Sequence, residues 1–439
     1  MVRLPDGSGR EAEQPSPDEY LDSLEPVGWR LGLERMRKLT TALGLPQHRF
    51  ASIHVVGTNG KSSVTRMTAA LLEAHGVSAG ASVSPHVERW SQRTLVHGEQ
   101  VAPEAWAKAV AQVARATEGV NRTLEEGEAV TQFEAATAAS FVALANARVR
   151  AAVIEAGLGG RLDATNTIPS KVTVLTSIGL DHTEWLGETE AEIAAEKLAV
   201  LRDQTTLVLG EVSDEVRALA EQTARARNAR LVPAPVDPGP EIRLRAQGEF
   251  QRRNFAIACA AAEAFLGRLD RESVAEVAAT VTVPGRLELI SERPPIYVDA
   301  AHNPAGAAAL AQSLPAVAEG RRVIALLAVL ADKDAEAMVA ALAPTLERAV
   351  CTELPAAALE GHGRPGARSR SAAELAAACE EVGLPAEVEP SFEQALRRAR
   401  TLASEPPEGL VLIAGSHYAI APARTLLADG TKMPRYGGK

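Results

Sequence analysis

Aromatic residues make up only 3% of the 439 residues, and that scarcity narrows what the chain can do. Binding of single-stranded nucleic acid relies on aromatic faces on which bases stack. Here the core must be built from Ala, Val and Leu. Cysteine is almost absent: Cys259, Cys351 and Cys379 show no CxxC spacing, which argues against a zinc site or a disulfide framework. They read as small buried hydrophobes in a reducing compartment. No apolar run reaches the length of about 18 residues that a membrane span needs. No apolar segment follows the first residues, so no signal peptide is expected and a cytoplasmic location is. The net charge is −10 and no basic stripe is legible, so neither nucleic acid nor membrane is expected as a partner.

What remains is ordinary for a globular chain: 46% hydrophobic and 23% charged, at a length that allows two or three domains. Residues 1–17 are rich in Gly, Glu, Pro and Ser and read as a disordered tail. A helical pattern follows from Tyr20 to Leu43. Short apolar runs then alternate with helical stretches, which predicts an α/β fold with a mainly parallel sheet covered on both faces. Residues 233–241, PAPVDPGPE, form the densest breaker cluster, and VPGR at 283–286 reads as a hinge. The βα rhythm restarts after it, with strands expected at 295–299, 322–328, 348–352 and 409–414. The expected domains are therefore 18–285 and 286–439.

The chain is organised around residues 51–66, ASIHVVGTNGKSSVTR. Ile53 to Val56 reads as a buried strand, Gly57, Thr58, Asn59 and Gly60 as a turn, and Lys61, Ser62 and Ser63 as the start of a helix. Turn amides and first-turn N–H groups converge where a phosphate would sit. Lys61 adds positive charge, and Ser62 or Ser63 can offer a hydroxyl to Mg²⁺. The strict GxxxxGK[ST] pattern wants Gly where Val55 stands, so the turn is the shorter GTNGKSS. A nucleoside triphosphate site is expected, against the plainer alternative of a strand–helix junction with a solvated lysine.

Other apolar runs also end in chemically loaded loops, which is where ligands gather in parallel sheets. Glu155 closes the run before GLGGRLDATN, either as a Mg²⁺ ligand or as a strand-end acid bridged to Arg161. His182 follows another run in GLDHTEWLG. It is an odd Mg²⁺ ligand that Mn²⁺ would suit, or a histidine held by Asp181 for loop shape. Ser84 opens Ser84-Pro85-His86 at a third strand end, and WSQRTLVHGE, up to about Gly98, reads as a loop or hairpin arm over a site. Arg286 at the hinge, Asp299 to Pro304 and Lys333 are strand-end or hinge groups that could face the first domain, or simply turns. Lys197, beside Glu196, reads from composition as a solvated helix lysine.

These stretches together resemble the folylpolyglutamate synthase/dihydrofolate synthase family of the Mur ligase superfamily. The matching segments are LGLERM at 31–36, HVVGTNGKSS at 54–63, SPH at 84–86, TQFE at 131–134, EAGLGGRLDATN at 155–166 and GLDHTEWLGETEAEIAAEK at 179–197. PGRLE at 284–288, DAAHNPAG at 299–306, ADKD at 331–334 and GSHY at 415–418 follow in the same order. The resemblance implies a P-loop-containing Mur-ligase-like central domain followed by a smaller Rossmann-like C-terminal domain. It implies an ATP-dependent ligase: a carboxylate is phosphorylated and the amine of L-glutamate attacks the acyl phosphate.

On that resemblance, Gly57 to Ser63 hold the triphosphate, with Lys61 also catalytic. Ser84, Glu155 and His182 bind Mg²⁺, with a second divalent ion allowed for. Lys197 corresponds to a lysine that CO₂ carbamylates. Asn254, Arg286 and Asp299 contact the nucleotide, His302 is placed near the acyl phosphate and the incoming glutamate, and Arg286, Lys197 and His302 count with Lys61 as catalytic. Phe133, His86 and Arg93 belong to a pteroyl pocket, and a monomer is expected. The chain departs from the family pattern in GKSS for GKGS, DAAHNP for DGAHNP, EKLAV for EKAGI, and Gln92-Arg93 for an ER pair. The first three bear on turn geometry and the last on the pteroyl substrate. Two other readings stay open: a Mur-like ligase for a different carboxylate, and a nucleotide-binding module without catalysis.

Overall fold

The structure is a computed structural model that describes residues 15–25, 32–359 and 366–429. Of the expected tail, residues 1–14 lie outside that description. Its end is not tail: Ser16 caps the helix Pro17–Ser23 by accepting the Glu19 N–H, while the Glu19 carboxylate accepts the Ser16 N–H. The expected helical stretch from Tyr20 to Leu43 is instead two helices, Pro17–Ser23 and Glu34–Ala42, because Leu24 turns extended.

Eight strands form the first sheet: β1 (Ala51–Val56), β2 (Ala79–Ser82), β3 (Thr94–Val96), β4 (Glu99–Gln100), β5 (Ala151–Glu155), β6 (Ser170–Leu175), β7 (Thr206–Leu209) and β8 (Arg230–Pro233). Their order is β4-β3-β2-β5-β1-β6-β7-β8. All pairings from β2 to β8 are parallel; β3 and β4 are added antiparallel at one edge. The expected hairpin arm is therefore the sheet's own edge. Strand β1 lies between β5 and β6, and Ser52 to Val56 are buried, as a strand covered on both faces requires. The loops after β1, β5 and β6 consequently open side by side.

Six strands form the second sheet: β9 (Glu288–Glu292), β10 (Pro295–Val298), β11 (Arg322–Leu327), β12 (Arg348–Cys351), β13 (Ala386–Val388) and β14 (Gly409–Ala414). Their order is β13-β12-β11-β14-β10-β9, with only β9 antiparallel. The chain passes from one sheet to the other between β8 and β9.

Alanine shapes the packing. The helix Gln132–Asn146 buries a nearly continuous run that includes Ala135, Ala136, Ala138 and Ala139 around Phe141. The helices Lys61–Ala74 and Glu249–Leu266 pack together through Met67, Leu71, Phe255 and Ala258. Cys351 and Cys379 are buried and Cys259 is half-buried, all as free thiols. Among the described residues, no helix is long and apolar enough to cross a membrane.

Candidate active site

The turn after β1 is folded tightly against its neighbours. A methyl group on Gly57 would sit 1.9 Å from Thr176 Oγ1, and one on Gly60 would sit 2.4 Å from Asn254 Oδ1. Gly60 also has φ +84°, where a side chain is strained. The end of β6 holds the turn: the Thr58 N–H donates to Ser177 O at 2.8 Å, and Thr176 Oγ1 donates to Asn59 O at 2.6 Å. Lys61 begins the following helix, and its ammonium donates to Gly57 O at 3.0 Å and Thr58 O at 3.2 Å. Positive charge is thereby fixed over the turn.

Glu155 ends β5 only 3% exposed. Ser62 Oγ donates to one of its oxygens at 2.8 Å and the Ser84 N–H to the other at 2.9 Å. Burial raises its pKa above the ordinary carboxylate value, opposed by Lys61, the two hydrogen bonds and Arg286. A bridge to Arg161 is not made, because Arg161 pairs with Glu196 at 2.9 Å. Nor do the departures from the family pattern strain the backbone. Ser62 lies inside the helix, and none of Ser62, Ala199 and Ala300 is among the residues with left-handed backbone.

Lys197 is not solvated; it is 4% exposed. Burial, aided by the charge of Lys61, pushes its amine down to about 7, against the pull of Asp181, Asp163 and Glu196. His182, with φ 52°, starts a short helical turn, and its Nε2 lies 3.9 Å from Asp181 Oδ1.

The second sheet brings its own groups to the same place. Asp299 follows β10 and accepts the N–H groups of Leu287 at 2.8 Å and Ala301 at 2.7 Å. Burial raises its pKa, with Arg286 opposing. The two sheets' loops meet at Asp181. Lys333 Nζ donates to it at 2.6 Å and Asn303 Nδ2 at 3.0 Å, and His302 Nε2 lies 3.4 Å away. Asn303 also exchanges amide hydrogen bonds with Asn59 of the turn, at 3.1 and 3.2 Å. Burial alone would raise the Asp181 pKa. The hydrogen bond and charge of His302, with His182 and Lys333, outweigh burial and hold it far below the carboxylate range. Sequence reading gave Asp181 only a loop-shaping role and did not single out Asn303; their partners are distant in the chain.

One cavity of about 500 Å³ gathers Gly57 to Ser63, Ser84, Glu155, His182, Lys197, Asn254, Arg286, Asp299 and His302. The three residues expected in a pteroyl pocket are not among its lining. Phe133 packs its ring under Gly157, where a methyl group would come within 2.4 Å of it. Arg93 Nε donates to His86 Nδ1 at 2.9 Å, and both side chains pack on the Trp90 ring. Phe133 and Arg93 line an adjoining space of about 10 Å³, room for a water but not for a bicyclic ring.

Two sheets of this topology, meeting over a glycine turn with a buried lysine and carboxylates, define a ligase of the Mur type. A family model described as "Mur ligase, glutamate ligase domain" matches residues 285–417. The dihydrofolate synthase/folylpolyglutamate synthase of Mycobacterium tuberculosis is 34% identical over 396 residues, 79% of this chain and 81% of that protein. The chain belongs to the folylpolyglutamate synthase/dihydrofolate synthase family. A solved M. tuberculosis folylpolyglutamate synthase, complexed with ADP and AMPPCP, superposes with a TM-score of 0.83 at 32% identity, covering 93% of this chain and 97% of that one. The bifunctional Yersinia pestis enzyme, complexed with AMPPNP and a Mn ion, gives 0.80 at 27% identity, covering 95% and 100%.

Proposed function

We propose that this protein is an ATP-dependent ligase that joins L-glutamate to the carboxylate of a dihydropteroate or a folate. The observation that carries the reading is the single cavity in which Lys61 and Glu155 from the first sheet face Arg286 and His302 from the second. A carboxylate oxygen of the acceptor attacks the γ-phosphorus, and ADP leaves. The glutamate amine then attacks the acyl carbon, the amide forms, and phosphate leaves with the proton passing to a base or to water. Lys61 neutralises charge on the transferring phosphate, while the turn amides orient it. Asn254, Arg286 and Asp299 hold the nucleotide from the far side. His302, which lines the same cavity, is assigned to the incoming amine. We place the division between the two domains at residue 285.

Mg²⁺ would be held by Ser84, Glu155 and His182. A buried carboxylate whose pKa burial has raised suits a cation, and the mixed oxygen–nitrogen set admits Mn²⁺ as well. When bound, the ion would supply positive charge that offsets the negative charge of the phosphates. Lys197 fits carbamylation. A lysine pushed down to about 7 has a substantial neutral fraction at physiological pH, so its nitrogen can add to CO₂, lose a proton and become an anion within the same cavity.

A second reading, a different carboxylate acceptor, draws on Gln92, whose amide oxygen is taken up by the N–H groups of Val87 at 3.0 Å and Glu88 at 2.8 Å. The test is a product assay with ATP, glutamate and a panel of pteroyl carboxylates, read by mass. A product heavier by one glutamyl residue, formed with ADP and lost in Lys61→Ala, is expected. ATP binding without acceptor-dependent ADP release, or near-normal turnover in Lys61→Ala, would defeat the assignment.

A further inference from the structure

The end of the first sheet remote from the cavity has an electrostatic character of its own. Strands β5, β1, β6 and β7 lie next to one another and begin there. Two grooves of about 720 and 790 Å³ adjoin at this end and share His48, Pro169 and Lys171. Arg37 and Arg202 line the first, Arg49, Arg148 and Arg150 the second, and Lys171 both. The one carboxylate in either lining is Asp203, which already pairs with Arg227 at 3.1 Å. None of the six cations pairs with a carboxylate among the described residues. Arg202 instead spends its donors on Asn166 O and Oδ1 and on Ile168 O, with the like charges of Arg227 and Arg37 nearby.

In a chain with 56 acidic and 46 basic residues, six cations left without acids on one face are a concentrated positive field. The row crosses three strand spacings, roughly 14 Å, which suits an extended polyanion better than a point charge. The groups choose carboxylates over bases. Arginine forks match carboxylates in pairs. The one Phe, Tyr or Trp in either lining, Phe50, is 5% exposed and offers no face for stacking. Under the proposed activity, each round of ligation adds a glutamyl residue with a free carboxylate, so the product becomes a linear polycarboxylate.

We infer that this face binds a linear polycarboxylate, the oligoglutamyl tail of the ligation product, at the end of the sheet opposite the ligation cavity. The occupant rests on the proposed function; the basic face does not. The experiment measures binding of fluorescently labelled mono-, tri- and pentaglutamate to the full chain by anisotropy, at low and high salt. Affinity should rise with tail length and fall with salt. Arg49→Glu combined with Lys171→Glu, both at exposed positions, should weaken pentaglutamate binding roughly ten-fold or more while leaving ATP affinity unchanged. Lys61→Ala should bind pentaglutamate as the parent does, which separates this site from the ligation cavity. Length-independent binding, no response to the charge reversals, or tighter binding of an oligonucleotide of equal charge would overturn the inference. Because the probe is glutamate peptide alone, a failed ligation assay leaves this result readable.

Discussion

Replacing Lys197 by methionine should make the protein more stable and less active at once. Lys197 is 4% exposed, and burial, with Lys61 adding repulsion, lowers its amine from 10.5 to about 7. A drop of that size corresponds to about 5 kcal/mol at most, and relaxation with water entry reduces the expected cost to about 2–4 kcal/mol. The folded chain binds this proton less tightly than the unfolded chain. Below pH 7 both states hold it, and the cost is present in full. Between pH 7 and 10.5 the unfolded chain keeps the proton while the folded chain sheds it, so the cost fades as pH rises. Methionine matches the length of the lysine stem and carries no charge. In CO₂-free buffer, urea unfolding at pH 6 should therefore show Lys197→Met ahead by about 2–4 kcal/mol, the lead shrinking steadily toward pH 10. Ligation should fall in the same variant, since neither an amine nor a carbamate remains. The parent protein, given ¹³C-bicarbonate, should show a carbamate resonance that the variant lacks. A variant less stable than the parent at pH 6, or a lead that ignores pH, would refute the account of Lys197 as a desolvated amine.

Asp181→Ala leaves Lys333, 7% exposed at its side chain, without its carboxylate partner, a loss of roughly 3–5 kcal/mol where a buried pair is broken. The contact between the two sheets' loops should loosen, seen as a larger radius of gyration by X-ray scattering and a raised KM for ATP. The double variant Asp181→Ala/Lys333→Ala should lose less than the two single losses combined, and strict additivity would show that the two groups do not act as a pair. Gly60→Ala puts a methyl group 2.4 Å from Asn254 Oδ1 at φ +84°. It should weaken ATP binding about ten-fold or more while circular dichroism stays unchanged. Unaltered ATP affinity there would remove the turn from the nucleotide site.

What could be read from the sequence was local. The strand–turn–helix at 51–66 sits within consecutive residues, and the structure places β1, the turn and the helix Lys61–Ala74 as expected. Glu155 and Asp299 were visible because each ends an apolar run, which is where a buried acid stands out. The edge strands β8, β9 and β13, which carry exposed or half-buried residues, gave no apolar run and passed unnoticed. Partners were not legible. Arg161 finds Glu196, 35 residues on, in place of Glu155, and Asp181 finds Lys333 across 152 residues. The basic face was hidden for the same reason. Residues 37, 49, 148, 150, 171 and 202 make no stripe until the strands are laid side by side. Phe133 and Arg93 were legible as residue types, but whether they line a space or fill it depends on Gly157 and Trp90.

Burial pushes four of the cavity's charged groups toward the neutral form, and at one of them the partners reverse the outcome, which bears on how the two sheets cooperate. Glu155 and Asp299 are raised and Lys197 is lowered, so each is pushed toward its neutral form by removal from water. Asp181 is the exception: the second sheet's loops surround it with His302, Lys333 and Asn303, and it stays ionised. Of these three carboxylates, the strongly stabilised one thus lies where the two sheets' loops meet, and Asn303 carries that contact on to Asn59 in the glycine turn. Under the proposed function, Glu155 is the raised carboxylate whose charge a divalent cation would restore. Filling the cavity with a metal–triphosphate complex would therefore relieve desolvation at Glu155 without competing for Asp181. Closure of the two halves and charging of the site would then reinforce each other, with Asn59 and Asn303 as the physical link between them.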